Sequence, residues 1–100
     1  MIVYNITTKV RWDILEAWLD WQLEEQIPSI LSTNCFDDYA LYRLLEQEEE
    51  EGPTFVIQLF TTGVERYQQF VEEHAPALQA AAGEKWGDAF IAFRTLMESV

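Results

Sequence analysis

Trp12-Asp13-Ile14-Leu15-Glu16-Ala17-Trp18-Leu19-Asp20-Trp21-Gln22-Leu23-Glu24-Glu25-Gln26-Ile27-Pro28-Ser29-Ile30 carries three of the chain's four tryptophans. At about 100° per residue, Leu15, Trp18, Leu19 and Leu23 share one broad stripe, and Asp13, Glu16, Asp20 and Glu24 fall opposite. The stretch therefore reads as an amphipathic helix with a wet back. Asp13 and Glu16 give it D-x-x-E spacing, an acidic variant of the capping box. Pro28 predicts an end or a bend near Gln26, because it lacks a backbone donor and disfavours helical geometry at Ile27. Ser29 to Leu31 leaves room for one further turn. Gln22 and Gln26 break the pattern near the middle of the apolar stripe, one turn apart. A buried amide without a partner costs ~1–3 kcal/mol, so at least one of them is predicted to reach a polar or water-containing space beneath the helix.

Working outward, Ile2 to Val10 sets Ile2, Tyr4, Ile6, Thr8 and Val10 against Val3, Asn5, Thr7 and Lys9, a β-branched strand pattern. Ser32-Thr33-Asn34 is a turn cluster. Phe36 to Leu45 reads as a second strand and Thr54 to Thr61 as a third. Between them, Glu46 to Pro53 (EQEEEEGP) reads as an acidic hairpin tip in water. A hard-cation site is the alternative for that run, although it lacks the alternating ligand spacing of a calcium loop.

Thr62 and Glu65 form a T-x-x-E capping box for a second helix, with Val64, Tyr67, Val71, Ala75 and Leu78 at helical spacing. Pro76 is predicted to bend or restart it and Gly83 to stop it. Trp86-Gly87-Asp88 reads as a turn, and Ala89 to Leu96 as the last strand. Glu24-Glu25-Gln26-Ile27-Pro28 recurs as Glu72-Glu73-His74-Ala75-Pro76 at the same point of the second helix, which supports two similar halves.

The order β-α-β-β-α-β over residues 1–100 predicts a single α+β domain of the ferredoxin-like plan, a four-stranded antiparallel sheet with two helices on one face. Neither face of the later strands is polar: Phe55, Ile57 and Leu59 alternate with Val56 and Phe60, and Phe90, Ala92 and Leu96 with Ala89, Ile91 and Phe93. An open apolar sheet face is larger than a monomer ordinarily exposes. The expectation is a homodimer through that face, a dimeric α/β barrel, with the acidic run projecting away from the contact.

Eighteen acidic and six basic residues give a formal charge of −12. That surface repels phosphate backbones and anionic lipid, so neither nucleic acid nor membrane is an expected partner. Cys35 is the only cysteine, which rules out an intrachain disulfide or a thiolate metal cluster. No apolar run approaches the ~20 residues of a membrane span. MIVYNITTKV has neither a basic n-region nor a cleavage site, so a cytoplasmic location is expected.

Asn5, Arg43, Gln58 and Arg94 are polar residues within strands. The two arginines read either as half-buried salt bridges or as clamps for an anion or a substrate carboxylate. His74, the only histidine, reads as a structural residue bonded to a carbonyl freed at the Pro76 bend, or as a general base or haem ligand. There is no nucleophile–base pair, no glycine-rich phosphate loop and no metal-ligand cluster. Catalytic residues are left unassigned, and no cofactor is expected.

Ile2-Val3-Tyr4-Asn5, Trp18-Leu19-x-Trp21, Ile27-Pro28, His74-Ala75-Pro76-x-Leu78, Gly87-Asp88-x-Phe90 and Phe93-Arg94-Thr95-Leu96 together resemble the domain of unknown function family 4286 over nearly the whole chain. The resemblance implies a ferredoxin-like fold of the dimeric α/β-barrel type and no established activity. Gln22 and Gln26 depart from it, standing where methionine and histidine are usual, which weakens any acid–base role at Gln26. Proteins of the broad fold include cofactor-free monooxygenases and haem-degrading enzymes. Two readings follow. One is a non-catalytic dimeric module binding a small ligand or a protein partner. The other is an enzyme acting on an aromatic or haem-like substrate in a pocket between helices and sheet, lined by Trp18, Gln22, Gln26 and His74. The missing catalytic constellation favours the first.

Overall fold

The strand alternation around Tyr4 builds the centre of the molecule. In the computed structural model, which describes residues 1–100, β1 (Ile2–Val10) pairs antiparallel with β3 (Thr54–Thr61) on one side and β4 (Phe90–Glu98) on the other. β2 (Asp38–Arg43) pairs with β3, giving the order β2-β3-β1-β4. This is the ferredoxin-like α+β arrangement. Tyr4 stands opposite Leu59 and Leu96, and Ile6 opposite Ile57 and Arg94, on the face beneath the helices. Asn5, opposite Gln58 and Thr95, marks the other face. β2 is shorter than the expected Phe36 to Leu45. Cys35 and Phe36 are buried in the core before the strand begins, and the chain turns away after Leu45 at Glu46, whose φ is +58°.

The first helical rod consists of a 3-10 turn (Trp12–Ile14), α1 (Leu15–Trp21), a π-helical turn (Gln22–Gln26) and α2 (Ile27–Ser32). The expected end near Gln26 is thus a change of helix type. In a regular α turn the Pro28 ring would press on the Glu24 carbonyl and would offer it no N–H. A wider turn relieves both problems, and the Ile27 N–H donates to Gln22 O, five residues back. The phase shift also moves Leu23 out of the stripe: it is 48% exposed.

Neither expected side-chain cap forms. Asp13 is taken by Arg11, whose Nε and Nη2 donate to its carboxylate at 3.1 and 2.8 Å. The second helix starts from Gly63 without a side-chain cap. It comprises α3 (Val64–Glu73) and α4 (Ala75–Trp86), broken at His74 (φ −121°, ψ −39°). Pro76 lies in the first turn of α4, where a missing N–H costs nothing. The helix runs through Gly83 to Trp86, and Gly87 (φ +59°) is the actual stop. Trp86 packs edge-on against Trp21 with ring centres 5.8 Å apart.

Two clusters fill the layer. Tyr4, Ile27, Ile30, Phe36, Leu59 and Phe70 belong to the larger one; Val10, Trp18 and Phe55 form the smaller. Trp18 is 1% exposed and its ring centre lies 5.5 Å from that of Phe55.

The acidic run joins β2 to β3 and is exposed from Glu46 to Glu51 except at Glu49, as expected of a tip in water, but it is tethered. Arg43 pairs with Glu49 at 2.6 Å, Lys9 with Glu48 at 3.1 Å, and the Trp12 indole N–H donates to Glu49 O at 2.8 Å. Lys9 belongs to the open sheet face, so the run is drawn back against the end of β1 rather than projecting from it. The Glu50 N–H and then Lys9 hold the Glu48 carboxyl below its ordinary range. Because that pKa is lowered in the folded state, this tether is present at neutral pH and is lost as pH falls through the folded value. Gly52 closes the loop where a Cβ would lie 1.7 Å from the Val10 carbonyl oxygen.

Two stability predictions follow from this packing. Trp18→Ala should cost ~3–5 kcal/mol, with Trp21→Ala costing less, read as urea midpoints against Glu24→Ala. A Trp18→Ala midpoint equal to that of the control would refute the helix register. Gly52→Ala should cost about 1–3 kcal/mol of stability, the range for forced overpacking, and lower the midpoint accordingly. An unchanged midpoint would show that the Val10 backbone can yield.

Candidate functional site

Four residues in an α-helix overshoot a full turn by about 40°, so a row spaced i, i+4, i+8, i+12 normally drifts round the rod. The π turn, with its wider circuit, sets the drift back. Trp18, Gln22, Gln26 and Ile30 consequently all face the same cavity. Its floor comes from the inward row of the sheet, including Ile6, Thr8, Ala92 and Arg94. The cavity is about 40 Å³, room for a few waters and no more. Gln22 is 6% exposed and its Oε1 is buried with no hydrogen-bond donor.

A second, wider cleft of about 350 Å³ adjoins it and opens to solvent. Tyr4, Tyr67, Val71, Pro76 and Gln79 wall it, and Arg94 borders both spaces. Between them lies a gap of about 20 Å³ flanked by Gln26, Gln79 and Arg94. The Tyr4 ring is fixed by Tyr67 at 5.2 Å edge-on and by Phe36 at 6.0 Å stacked. Burial raises the Tyr4 phenol above its ordinary pKa, and the neighbouring Arg94 guanidinium partly offsets this. At neutral pH the Tyr4 phenol therefore keeps its proton and can donate a hydrogen bond.

Arg94 is the only arginine without a carboxylate partner. Arg11 pairs with Asp13, Arg43 with Glu49 and Arg66 with Asp37. The two strand arginines thus separate: Arg43 is a structural ion pair at the sheet edge, lying 5.9 Å over the Trp12 ring. Arg94 stands in the inward row of β4, its side chain reaching the cleft mouth.

The remaining candidates lie elsewhere. His74 faces away from both spaces into a separate open hollow of about 290 Å³ beside Ser29, Thr33 and Glu73. Its ring donates to no freed carbonyl, contrary to expectation; the nearest charge is Glu73, at 4.0 Å. Asn5 is on the open sheet face, its Nδ2 donating to Thr7 Oγ1 at 3.4 Å and its Oδ1 buried without a donor. Of the seven candidate residues, Trp18, Gln22, Gln26 and Arg94 come together, and Asn5, Arg43 and His74 do not join them. Tyr4, Tyr67 and Gln79 went unread as site residues. Tyr4 and Tyr67 carried a signal, polar tips on apolar rows; Gln79 carried none. No three His, Cys, Asp or Glu side chains converge on a point that would hold a metal ion.

A family model described as a domain of unknown function, DUF4286, matches residues 1–100. The chain belongs to the DUF4286 family. No curated protein matches the sequence significantly. Among solved structures, this DUF4286 chain is similar to an ethyl tert-butyl ether d (EthD) family protein of Bacillus halodurans (TM-score 0.68, 13% identity, all of both chains covered). It is similar also to a MhuD variant with two manganese protoporphyrin IX molecules per active site (TM-score 0.66, 19% identity, 100% of this chain and 95% of that one). A third is a dimeric ferredoxin-like protein of unknown function from Jannaschia (TM-score 0.57, 12% identity, 99% and 100% covered). At these identities the likeness establishes the fold alone.

The stranded carbonyl gives a direct test of the inner cavity. Gln22→Met conserves volume and removes a buried acceptor that has no protein donor, so it should raise stability by about 1 kcal/mol in urea. A loss of that size would mean that Gln22 satisfies something the stability depends on.

Proposed function

We propose that this DUF4286 protein is a homodimeric module that binds a small ligand, without catalysing a reaction on it, in the cleft between the helices and the inward face of the sheet. One observation carries the reading: an amide carbonyl is buried without a donor in a small cavity that shares Arg94 with an open cleft large enough for an organic molecule. The 40 Å³ space beneath the glutamines holds water, and the ligand body belongs in the adjoining 350 Å³. Water or a ligand group reaching inward would supply the donor that Gln22 lacks.

The groups facing the cleft support binding over catalysis. Its titratable side chains are Tyr4, Tyr67 and Arg94, and the single histidine lies on another surface. The oxygenase and haem-degrading reading rests on fold likeness, which does not fix function.

The dimer reading rests on the open sheet face, where Phe93 is 67% exposed, Ile91 56% and Tyr42 56%. Covering it with a second copy would bury Tyr42, Ile91 and Phe93 together with the mixed outward row of β1 and β3; obligate interfaces exceed ~2,000 Å². Asn5 Oδ1 lies within that face, where an interface would supply its donor. Glu48, held by Lys9, would lie at the rim, away from the contact centre.

Native mass spectrometry of protein purified from its own host tests both parts. The expected species is a dimer of the 11.7 kDa chain carrying a retained small molecule. A dimer with no added mass counts against the ligand. Phe93→Lys should give a monomer in sedimentation at micromolar concentration, with a melting temperature that no longer rises with concentration. A wild-type monomer whose melting is independent of concentration would overturn the barrel.

A further inference from the structure

We infer that the cleft's ligand is a carboxylate with a flat apolar body, its acid group held by Arg94 and the Tyr4 hydroxyl and its body lying along Tyr67 and Pro76. This rests on the ligand-binding reading above and gives it a chemical class. Two independent features of the site lead to it, charge and shape, and a third bears on the space inward of the acid group.

The first is charge. In a chain with eighteen acidic residues, every other arginine has a carboxylate, and the cleft wall has none to offer Arg94. Arg94 is the only charged side chain lining the cleft of a molecule of net charge −12. Arginine's planar fork matches a carboxylate with two parallel hydrogen bonds, which an amide or an alcohol cannot accept in the same way. The Tyr4 hydroxyl beside it adds a third donor to the same anion.

The second is shape. Tyr4 and Tyr67 present rings set edge to face, and Val71, Ala75 and Pro76 complete an apolar wall. Flat apolar groups pack well against such rings.

The third is the orphaned acceptor. Gln22 Oε1 lies at the inner end of the space that Arg94 shares with the cleft, 94% of its residue's surface being withdrawn from solvent. It calls for a donor, which an ionised carboxylate lacks, so a water inward of the acid group should bridge the two.

Calorimetric titration of the intact protein with 1-naphthylacetate and with 1-naphthylacetamide tests this, since the two differ in charge and hardly in shape. The acid should bind about tenfold more tightly or better. Arg94→Gln should abolish that preference, and Arg94→Lys should restore part of it, a point charge standing in for the fork. Gln79→Trp, which fills the cleft from an exposed helical position, should weaken both ligands. Equal affinity for acid and amide, lost in Gln79→Trp, would overturn the carboxylate assignment and leave the ligand cleft standing. A preference for the acid that survives Arg94→Gln would overturn it too. If neither compound binds at millimolar concentration, the assignment falls, and the native mass measurement decides separately whether the cleft holds anything.

Discussion

Pro28 withholds one N–H from the first helical rod, and the position of the whole inner cavity depends on how the chain absorbs that loss. A break would have let α2 swing away and left Gln22 and Gln26 in solvent. The π turn keeps the rod continuous, because the Ile27 N–H reaches back to Gln22 O. It also keeps Trp18, Gln22, Gln26 and Ile30 in one row over the sheet. Trp18 and Ile30, each 1% exposed, anchor the two ends of that row in separate clusters. Burial at both ends then holds two amides over the inward row of β1 and β4, one of them, Gln22, with its carbonyl buried and without a donor. The polar site is thus imposed by apolar packing on either side of it, which fixes its geometry more firmly than a loop would.

The sheet divides its polar residues between two different tasks. Its inward row carries Thr8 and Arg94 beneath the helices, within reach of the cavities. Its outward row carries Asn5, Thr7 and Gln58 among Val56, Phe60 and Phe93, a mixed surface suited to a partner and poorly suited to water. Since side chains alternate along each strand, a one-residue slip of β4 would exchange Arg94 with Phe93 or Thr95. It would take the cation out of the cleft and put an aromatic ring there. Register therefore links the apolar face to the ligand face, and the paired ladder of β1 with β4 holds both at once.

Much of this was legible before any coordinates. Period-two alternation gave four strands, helical spacing gave the helices between them, and two glutamines inside an apolar stripe pointed to the space beneath them. What escaped depended on contacts distant in sequence. Leu23 fits the stripe at a constant 100° per residue and leaves it only because Pro28, five positions on, changes the local pitch. Asp13 has the spacing of a capping residue but sits within reach of Arg11, a charged donor that outcompetes a backbone N–H. Arg43 and Arg94 are equivalent as strand arginines. Only the fold-back of the acidic loop, closed by Gly52 against Val10, brings Glu49 to one of them and leaves the other unpaired.

The two copies of the Glu-Glu-x-x-Pro element explain why the cleft opens on the side it does. In the first half the proline is absorbed by a wider turn, and the rod stays shut over a space of about 40 Å³. In the second half the chain gives way at His74 instead, and the helix is interrupted between α3 and α4. The difference has a local cause. Ile27 and Ile30 bury themselves on either side of Pro28, so bending there would expose both. Around Pro76 only Phe70 and Ala75 are buried, and Pro76 itself and Ala77 are exposed, so a break exposes little. Tyr67 and Val71 of α3 and Pro76 and Gln79 of α4, before and after the break, line the 350 Å³ cleft together with Tyr4 and Arg94 of the sheet. One proline keeps a roof closed over two amides, the other opens a door beside them, and Arg94 stands where the two spaces meet.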